Sequence, residues 1–134
     1  MDIRNAQWDD VPALARFDRH ISRQELEHSV RRGRVYVAQE QGELAGWLRY
    51  GLFWDNTPFM NLLFVLEGRR GKGLGGSLVR HWETRMRQAG YGTAMASTQS
   101  NEYAQHFYNK LGYAAVGGFL PPGEPYELIL AKRL

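Results

Sequence analysis

The run Phe64-Val65-Leu66-Glu67-Gly68-Arg69-Arg70-Gly71-Lys72-Gly73-Leu74-Gly75-Gly76 holds most of the chain's capacity for chemistry. An apolar stretch meets two arginines, then glycines separated only by Lys72 and Leu74. Leu74, Leu78, Trp82 and Met86 follow, one apolar residue every fourth place, which predicts an amphipathic helix. The first turn of a helix has N–H groups without acceptors and a partial positive charge. Glycine lets a ligand come close to that backbone and permits positive φ. Arg69, Arg70 and Lys72 add full charges. Strand, glycine turn, cations and helix together suit a phosphate or diphosphate. The same residues would also make a tight strand-to-helix link on a basic surface.

Three phosphate-bearing ligands compete for such a turn. Gly71-x-Gly73-x-x-Gly76 has the spacing of the dinucleotide fingerprint, which expects a carboxylate about 20 residues further on to hold a ribose. That region reads Ala94-Met95-Ala96-Ser97-Thr98, and no carboxylate follows it until Glu102. A nucleoside-triphosphate loop needs Gly-Lys-Ser/Thr, and Lys72 is followed by Gly73. Coenzyme A, with its diphosphate and long pantetheine arm, is the third option.

The elements that must position the turn follow from periodicity and punctuation. Residues 3–6 read as a short strand. Asp9 or Asp10 can cap a helix that has Pro12 in its first turn. Ser22-Arg23-Gln24-Glu25 has capping-box spacing and opens a second helix, which Gly33 stops. Residues 34–38 and 44–53 form a hairpin about Gln41-Gly42. Residues 54–58 form a loop. Residues 59–66, apolar except for Asn61, predict a strand covered on both faces. The long helix ends at Gly90, and residues 94–98 resume a strand. Asn101 caps a helix carrying Ala104, Phe107, Tyr108 and Leu111 that ends at Gly112. Residues 113–116 and 126–130 are short strands around a Gly- and Pro-rich loop. The pattern is an α/β (α+β) fold, a mixed sheet with helices on its faces.

Composition narrows the class. A chain of 134 residues predicts a single domain over 1–134. Without cysteine it forms no disulfide, no thiolate metal site and no cysteine nucleophile. The polar opening MDIRNAQWDD has no signal-peptide core, and the longest apolar run is far too short to span a bilayer. These features predict a soluble cytoplasmic protein with no membrane partner. A formal charge of +3 fits an anionic small ligand and is too weak to argue for nucleic acid. His20, His28, His81 and His106 follow no metal-ligand spacing, so no metal is expected.

Two blocks of this sequence resemble the GNAT superfamily of acyl-CoA-dependent N-acetyltransferases. Arg70-Gly71-Lys72-Gly73-Leu74-Gly75 looks like the family's Arg/Gln-x-x-Gly-x-Gly/Ala motif, and Leu63-Phe64-Val65 looks like the end of its fourth strand. Asn101-x-x-Ala104-x-x-Phe107-Tyr108-x-Lys110-Leu111-Gly112-Tyr113 is similar to its second signature. The likeness is strongest over residues 62–117. It implies a mostly antiparallel twisted sheet of roughly six to seven strands with about four helices.

It also implies roles. Pantetheine would lie against the backbone of Leu63, Phe64 and Val65, beside strands that splay apart in the family. A backbone N–H near Val65 would hold the oxyanion. Arg70, Gly71, Lys72, Gly73, Leu74 and Gly75 would hold the diphosphate of acetyl-CoA. Asn101 would contact the pantetheine arm or cap its helix. Tyr108 would be the general acid that protonates the leaving thiolate, since a phenol near about 10 keeps its proton at neutral pH. The acceptor is expected to be a small-molecule or peptide amine, and family members often form homodimers.

One position departs from the family. Many members use a strand-four Glu to deprotonate the amine, and the matching residue here is Asn61. Glu67, Glu102, Glu124, Asp55 and the histidines remain as candidates. Trp54 and Phe59 are the aromatic residues expected in an acceptor pocket, with Asp55, Glu124 and Glu127 able to attract a cationic amine. The alternative to an enzyme is an acyl-CoA sensor or other non-catalytic GNAT-like module, or a basic nucleic-acid binder using Arg69, Arg70 and Lys72.

Overall fold

The hairpin reads out as its residues dictate. In the computed structural model, which describes residues 1–134, β2 (Val35–Glu40) turns into β3 (Glu43–Phe53) through Gln41 and Gly42. Both turn residues take positive φ, 52° and 77°, the geometry that matches strand twist across a two-residue hairpin. β1 (Asp2–Asn5) precedes them. β4 (Thr57–Val65), β5 (Thr93–Gln99), β6 (Ala114–Phe119) and β7 (Glu127–Arg133) follow. The helices are α1 (Val11–Phe17), α2 (Arg23–Arg31), α3 (Leu74–Gln88) and α4 (Ala104–Lys110). The strands hydrogen-bond in the order β1-β2-β3-β4-β5-β7-β6, a seven-stranded sheet. The β4–β5 pair is parallel, and β1–β2, β2–β3, β5–β7 and β6–β7 are antiparallel.

The chain divides into two compact units, Met1–Gly51 with Leu62–Trp82, and Leu52–Asn61 with Glu83–Leu134. The core of the first gathers Val11, Leu14, Leu26, Val30, Val35, Val37 and Trp47, with Leu62, Phe64 and Leu66 packed against it. α2 contributes because Ser22 Oγ accepts from Glu25 N at 3.1 Å, and Leu26 and Val30 then face inward four residues apart. α1 starts differently from the expectation. Asp10 sits at its N-cap position but makes no side-chain cap. Its carboxylate instead takes Gln7 N at 2.7 Å and the Arg4 guanidinium at 2.8 and 3.0 Å. One carboxylate oxygen, Oδ2, thus takes both the Gln7 amide and the Arg4 cation, and the charge-assisted bond strengthens the arrangement.

A buried ion pair that no local pattern announces ties this unit together. Asp18, at the C-terminal end of α1, accepts from Arg49 Nε at 2.8 Å and Trp47 Nε1 at 3.2 Å. Removing either charge leaves the other buried and unpaired, which costs roughly 3–5 kcal/mol.

In the second unit, β5 alternates inward Ala94, Ala96 and Thr98 with half-buried Met95, Ser97 and Gln99. It pairs with β7 along its whole length, from Thr93↔Arg133 to Gln99↔Glu127. β6 is longer than expected. Gly117, Gly118 and Phe119 belong to the strand rather than to the loop. A Cβ on Gly118 would run into the Glu127 carbonyl oxygen and the Tyr126 ring, so only glycine lets β6 approach β7 there. Glu83 on α3 is the buried carboxylate of this unit. It accepts from Tyr113 Oη at 2.8 Å and Lys132 Nζ at 3.1 Å.

Candidate active site

The turn that carried the sequence reading forms at the start of α3. Gly71 and Gly73 have φ of +81° and +78°, where an L side chain is strained. A Cβ on either would meet nothing within 4 Å, so the requirement is conformational and the space beside each is open. The first helical bond is Ser77 N to Gly73 O at 3.1 Å, which leaves the N–H groups before Ser77 without helical acceptors. An open cradle of main-chain donors at a helix start is what a diphosphate needs.

The cations beside it divide in two. Arg69 is committed to Glu43 at 2.9 Å and Glu40 at 3.7 Å. Arg70 Nε donates to Val65 O at 2.9 Å, and its guanidinium lies 5.4 Å from the centre of the Phe64 ring. Arg70 thus closes the turn onto the end of β4. The expected free basic cluster is therefore smaller than its sequence suggests, because two of its members find protein acceptors. Lys72 is exposed. Arg80 was not singled out from sequence. A Cβ on Gly76 would stand 3.1 Å from Arg80 Nη1, so this guanidinium is laid back over the helix's first turn. Helical side chains lean toward the N-terminus, and a cation one turn after a glycine is the signal that would have found it.

Leu63, Phe64 and Val65 are half-buried, and Asn61 is exposed. The expectation of a strand covered on both faces is not met: Pro58 and Met60, which share one face, are buried, whereas Phe59 on the other face is half-buried. The parallel ladder to β5 contains Phe59↔Met95 and Met60↔Ala96 and goes no further along β4. On the β3 side the main chain is engaged. Leu66 N donates to Ala45 O at 2.9 Å, and a Cβ on Gly46 would lie 2.8 Å from Phe64 O. Gly46 is therefore required for that close approach, a role its sequence position did not betray.

Tyr108 is on α4 and only 8% exposed. Its hydroxyl donates to Met60 Sδ at 3.7 Å, and its ring meets those of Phe107 and Tyr113 edge-on at 5.2 and 5.9 Å. Burial raises the phenol to about 12, with the Glu102 carboxylate adding to the rise. Tyr113 is raised as well, first by burial and then by its bond to Glu83. The position near about 10 expected from an unperturbed phenol is therefore corrected upward.

Asn101 does not cap α4. The helix begins at Ala104, after Tyr103, and Asn101 is exposed in the preceding turn. Gln105 ties the preceding turn to the helix, donating to Ser100 O at 3.0 Å and Glu102 O at 3.3 Å, and no side chain caps the free N–H groups. A long amide inside the helix reaches both carbonyls, and the shorter Asn101 is left available to another partner.

A statistical model of the acetyltransferase (GNAT) family matches residues 1–113. The chain is 33% identical over 101 residues to the blasticidin-S acetyltransferase of Streptomyces morookaense, covering 73% of each chain. Its fold is similar to that of Ard1 from Thermoplasma volcanium, with a TM-score of 0.87 and 15% identity, over 99% of this chain and 97% of the other. It is also similar to yncA from Salmonella typhimurium, solved with its cofactor acetyl-CoA, with a TM-score of 0.84 and 20% identity over 100% and 94% of the two chains.

The chain belongs to the GNAT acetyltransferase family.

It is an acyltransferase whose acyl donor is acetyl-CoA. No group of three or more His, Cys, Asp or Glu side chains in the acetyltransferase could hold a metal ion. No helix is long and apolar enough to cross a membrane.

The candidate bases are not brought together. Glu67, Glu102 and Asp55 are exposed, and Glu124 accepts from Gln99 Nε2 at 3.3 Å. His81 packs edge-on to Tyr36 at 5.0 Å, and His106 is exposed beside Tyr103. The aromatic residues near β3 and the turn after it differ in burial. Trp47 is wholly buried against Phe64, whereas Trp54 is 79% exposed in a turn, its ring tilted by 38° against that of Phe53 at 4.8 Å. Thr98, which the sequence did not single out, buries a hydroxyl with no hydrogen-bond partner.

Proposed function

We propose that this acetyltransferase moves an acetyl group from acetyl-CoA to a primary amine by direct attack, with Tyr108 as general acid. The observation that carries the reading is a buried phenol whose hydroxyl donates to nothing stronger than a thioether. Acetyl-CoA supplies the activated thioester. Main-chain N–H groups of residues 70–75 hold its diphosphate, and Lys72 and Arg80 add charge. The backbone of Leu63, Phe64 and Val65 lies along the pantetheine arm, and an N–H near Val65 polarises the thioester carbonyl. Asn101, free of any capping duty, contacts the arm.

The amine nitrogen attacks the carbonyl carbon, so a C–N bond forms and the C–S bond breaks. Tyr108 Oη gives its proton to the departing sulfur. The nitrogen's own proton leaves to water, and the tyrosinate recovers a proton from water. A phenol at about 12 is a weaker acid than a free thiol near about 8.5. A thiolate that forms in the same dry surroundings is disfavoured by the same desolvation, which brings the two groups together in proton affinity. Asn61 offers no base, so the amine must enter already neutral, and turnover rises with pH through the amine's own titration.

The curated relative's name makes blasticidin S the first acceptor to test, within a wider set of small amines and peptide N-termini. Free-thiol release from acetyl-CoA across that set is the decisive assay. Turnover on at least one primary amine, with the product acetylated at nitrogen, is the expected result. A chain stabilised against heat by acetyl-CoA that releases thiol with none of them is a sensor, and the catalytic reading falls.

A further inference from the structure

Tyr108 has an unusual partner. Its hydroxyl, buried on α4, donates to the sulfur of Met60 on β4, 48 residues away in sequence. Met60 is itself buried, and its backbone position is set by the last pair of the β4–β5 ladder, Met60↔Ala96. A thioether is a weak acceptor, too weakly basic to take the proton. It can still orient an O–H bond in a space where no better acceptor competes. A carboxylate or amide there would hold the hydroxyl tightly and would have to be displaced before the phenol could serve another atom. A leucine would leave the hydroxyl free to rotate. We infer that Met60 is a positioning residue for acyl transfer: its sulfur holds the Tyr108 hydroxyl in the donating orientation until the hydroxyl turns to the leaving sulfur of the thioester. This rests on the assignment of Tyr108 as the acid. The resting bond and the working bond are both O–H to sulfur contacts, so the exchange costs little.

The role makes Met60 act through Tyr108 alone, which a double-mutant cycle can read. With an amine found by thiol release, Met60→Leu should lower kcat by about three- to ten-fold, the size of one ordinary hydrogen bond, with KM for acetyl-CoA unchanged. In the Tyr108→Phe background the same substitution should have no further effect on kcat. Additive losses would mean that Met60 matters only for packing and would overturn the proposal, while leaving Tyr108 as the acid. A Tyr108→Phe protein with unchanged kcat would remove the acid assignment and the proposal with it.

A spectroscopic arm needs neither an acceptor nor a stable Met60 variant. The chain has four methionines, and methyl-labelled methionine gives each its own signal. Tyr108→Phe keeps the ring and removes only the hydroxyl, and it should move the Met60 signal. Saturation with free CoA, the product thiol, should move it in the wild type and much less in Tyr108→Phe. An unmoved Met60 signal in Tyr108→Phe, or an equal CoA-induced shift in both proteins, would overturn the inference.

Discussion

In the proposed site, the atoms offered to a ligand at residues 70–76 belong to the main chain, whereas at Tyr108 they belong to a side chain. The glycine turn is open. Its donors are peptide N–H groups, and its conformation is set by two residues at positive φ and the helix that follows them. Tyr108 is closed in, burial raises its phenol, and its hydroxyl donates to the sulfur of a residue 48 positions away. A site made of backbone needs only the right local conformation, so a dozen residues can specify it. A site made of one buried side chain depends on every element packed around it. The first should fail when conformation is blocked and the second when a single atom is removed, and this difference can be tested.

The largest effect should come from the buried side. Tyr108→Phe is expected to lower kcat by about 10²-fold or more while leaving acetyl-CoA affinity intact, measured by thiol release and calorimetric titration. On the open side, Gly73→Val forces a branched residue into the left-handed region and fills the cradle. The strain alone is about 1–2 kcal/mol, and acetyl-CoA affinity by calorimetry should fall by about ten- to a hundred-fold. If Gly73→Val bound the donor normally, a main-chain cradle would no longer describe this end.

Gly46→Ala probes the support of β4. A methyl group there would meet Phe64 O, so the strand must shift, and a loss of about 1–3 kcal/mol should appear in denaturant melts together with weaker donor binding. Smaller still, Lys72→Ala should raise KM for acetyl-CoA a few-fold at low salt, with the difference fading as ionic strength rises. Arg69→Ala should leave KM unchanged, because that guanidinium is already occupied by Glu40 and Glu43.

The last effect is a near absence of change. Tyr108 keeps its proton up to about 12, so kcat should show no alkaline fall from this group below about pH 11. The sign for stability is the reverse of a carboxylate's. A folded-state value raised above the ordinary phenol near about 10 makes the native state bind more protons between the two values. The contribution is therefore whole below about pH 10 and is lost as pH climbs toward about 12, which alkaline unfolding monitored by circular dichroism would record.

Most of the fold could be read from short-range signals. The Ser22 cap, the Gln41-Gly42 turn, the stop at Gly33 and the four-residue spacing of α3 each depend on a few neighbouring residues, and each forms where expected. Asp10 and Asn101 were expected to cap because their types cap well, yet Arg4 claimed one carboxylate and the helix after Asn101 began three residues later. Gly117 and Gly118 looked like loop and became strand, because Gly118 makes room for Tyr126 and Glu127. For Asp10 and Gly118 a specific side-chain or cross-strand partner decided between two locally acceptable states.

The order of residues 70–76 was enough to specify a left-handed glycine turn feeding a helix, since φ preferences and unpaired N–H groups are properties of adjacent peptides. Nothing in that order could place Met60 sulfur against Tyr108, bury Glu83 beneath Tyr113, or pair Arg49 with Asp18. Those contacts join residues roughly thirty to fifty positions apart, and their energies exist only once water has been excluded by the packed chain. Backbone geometry is inherited from near neighbours, whereas dielectric and acidity belong to the assembled interior.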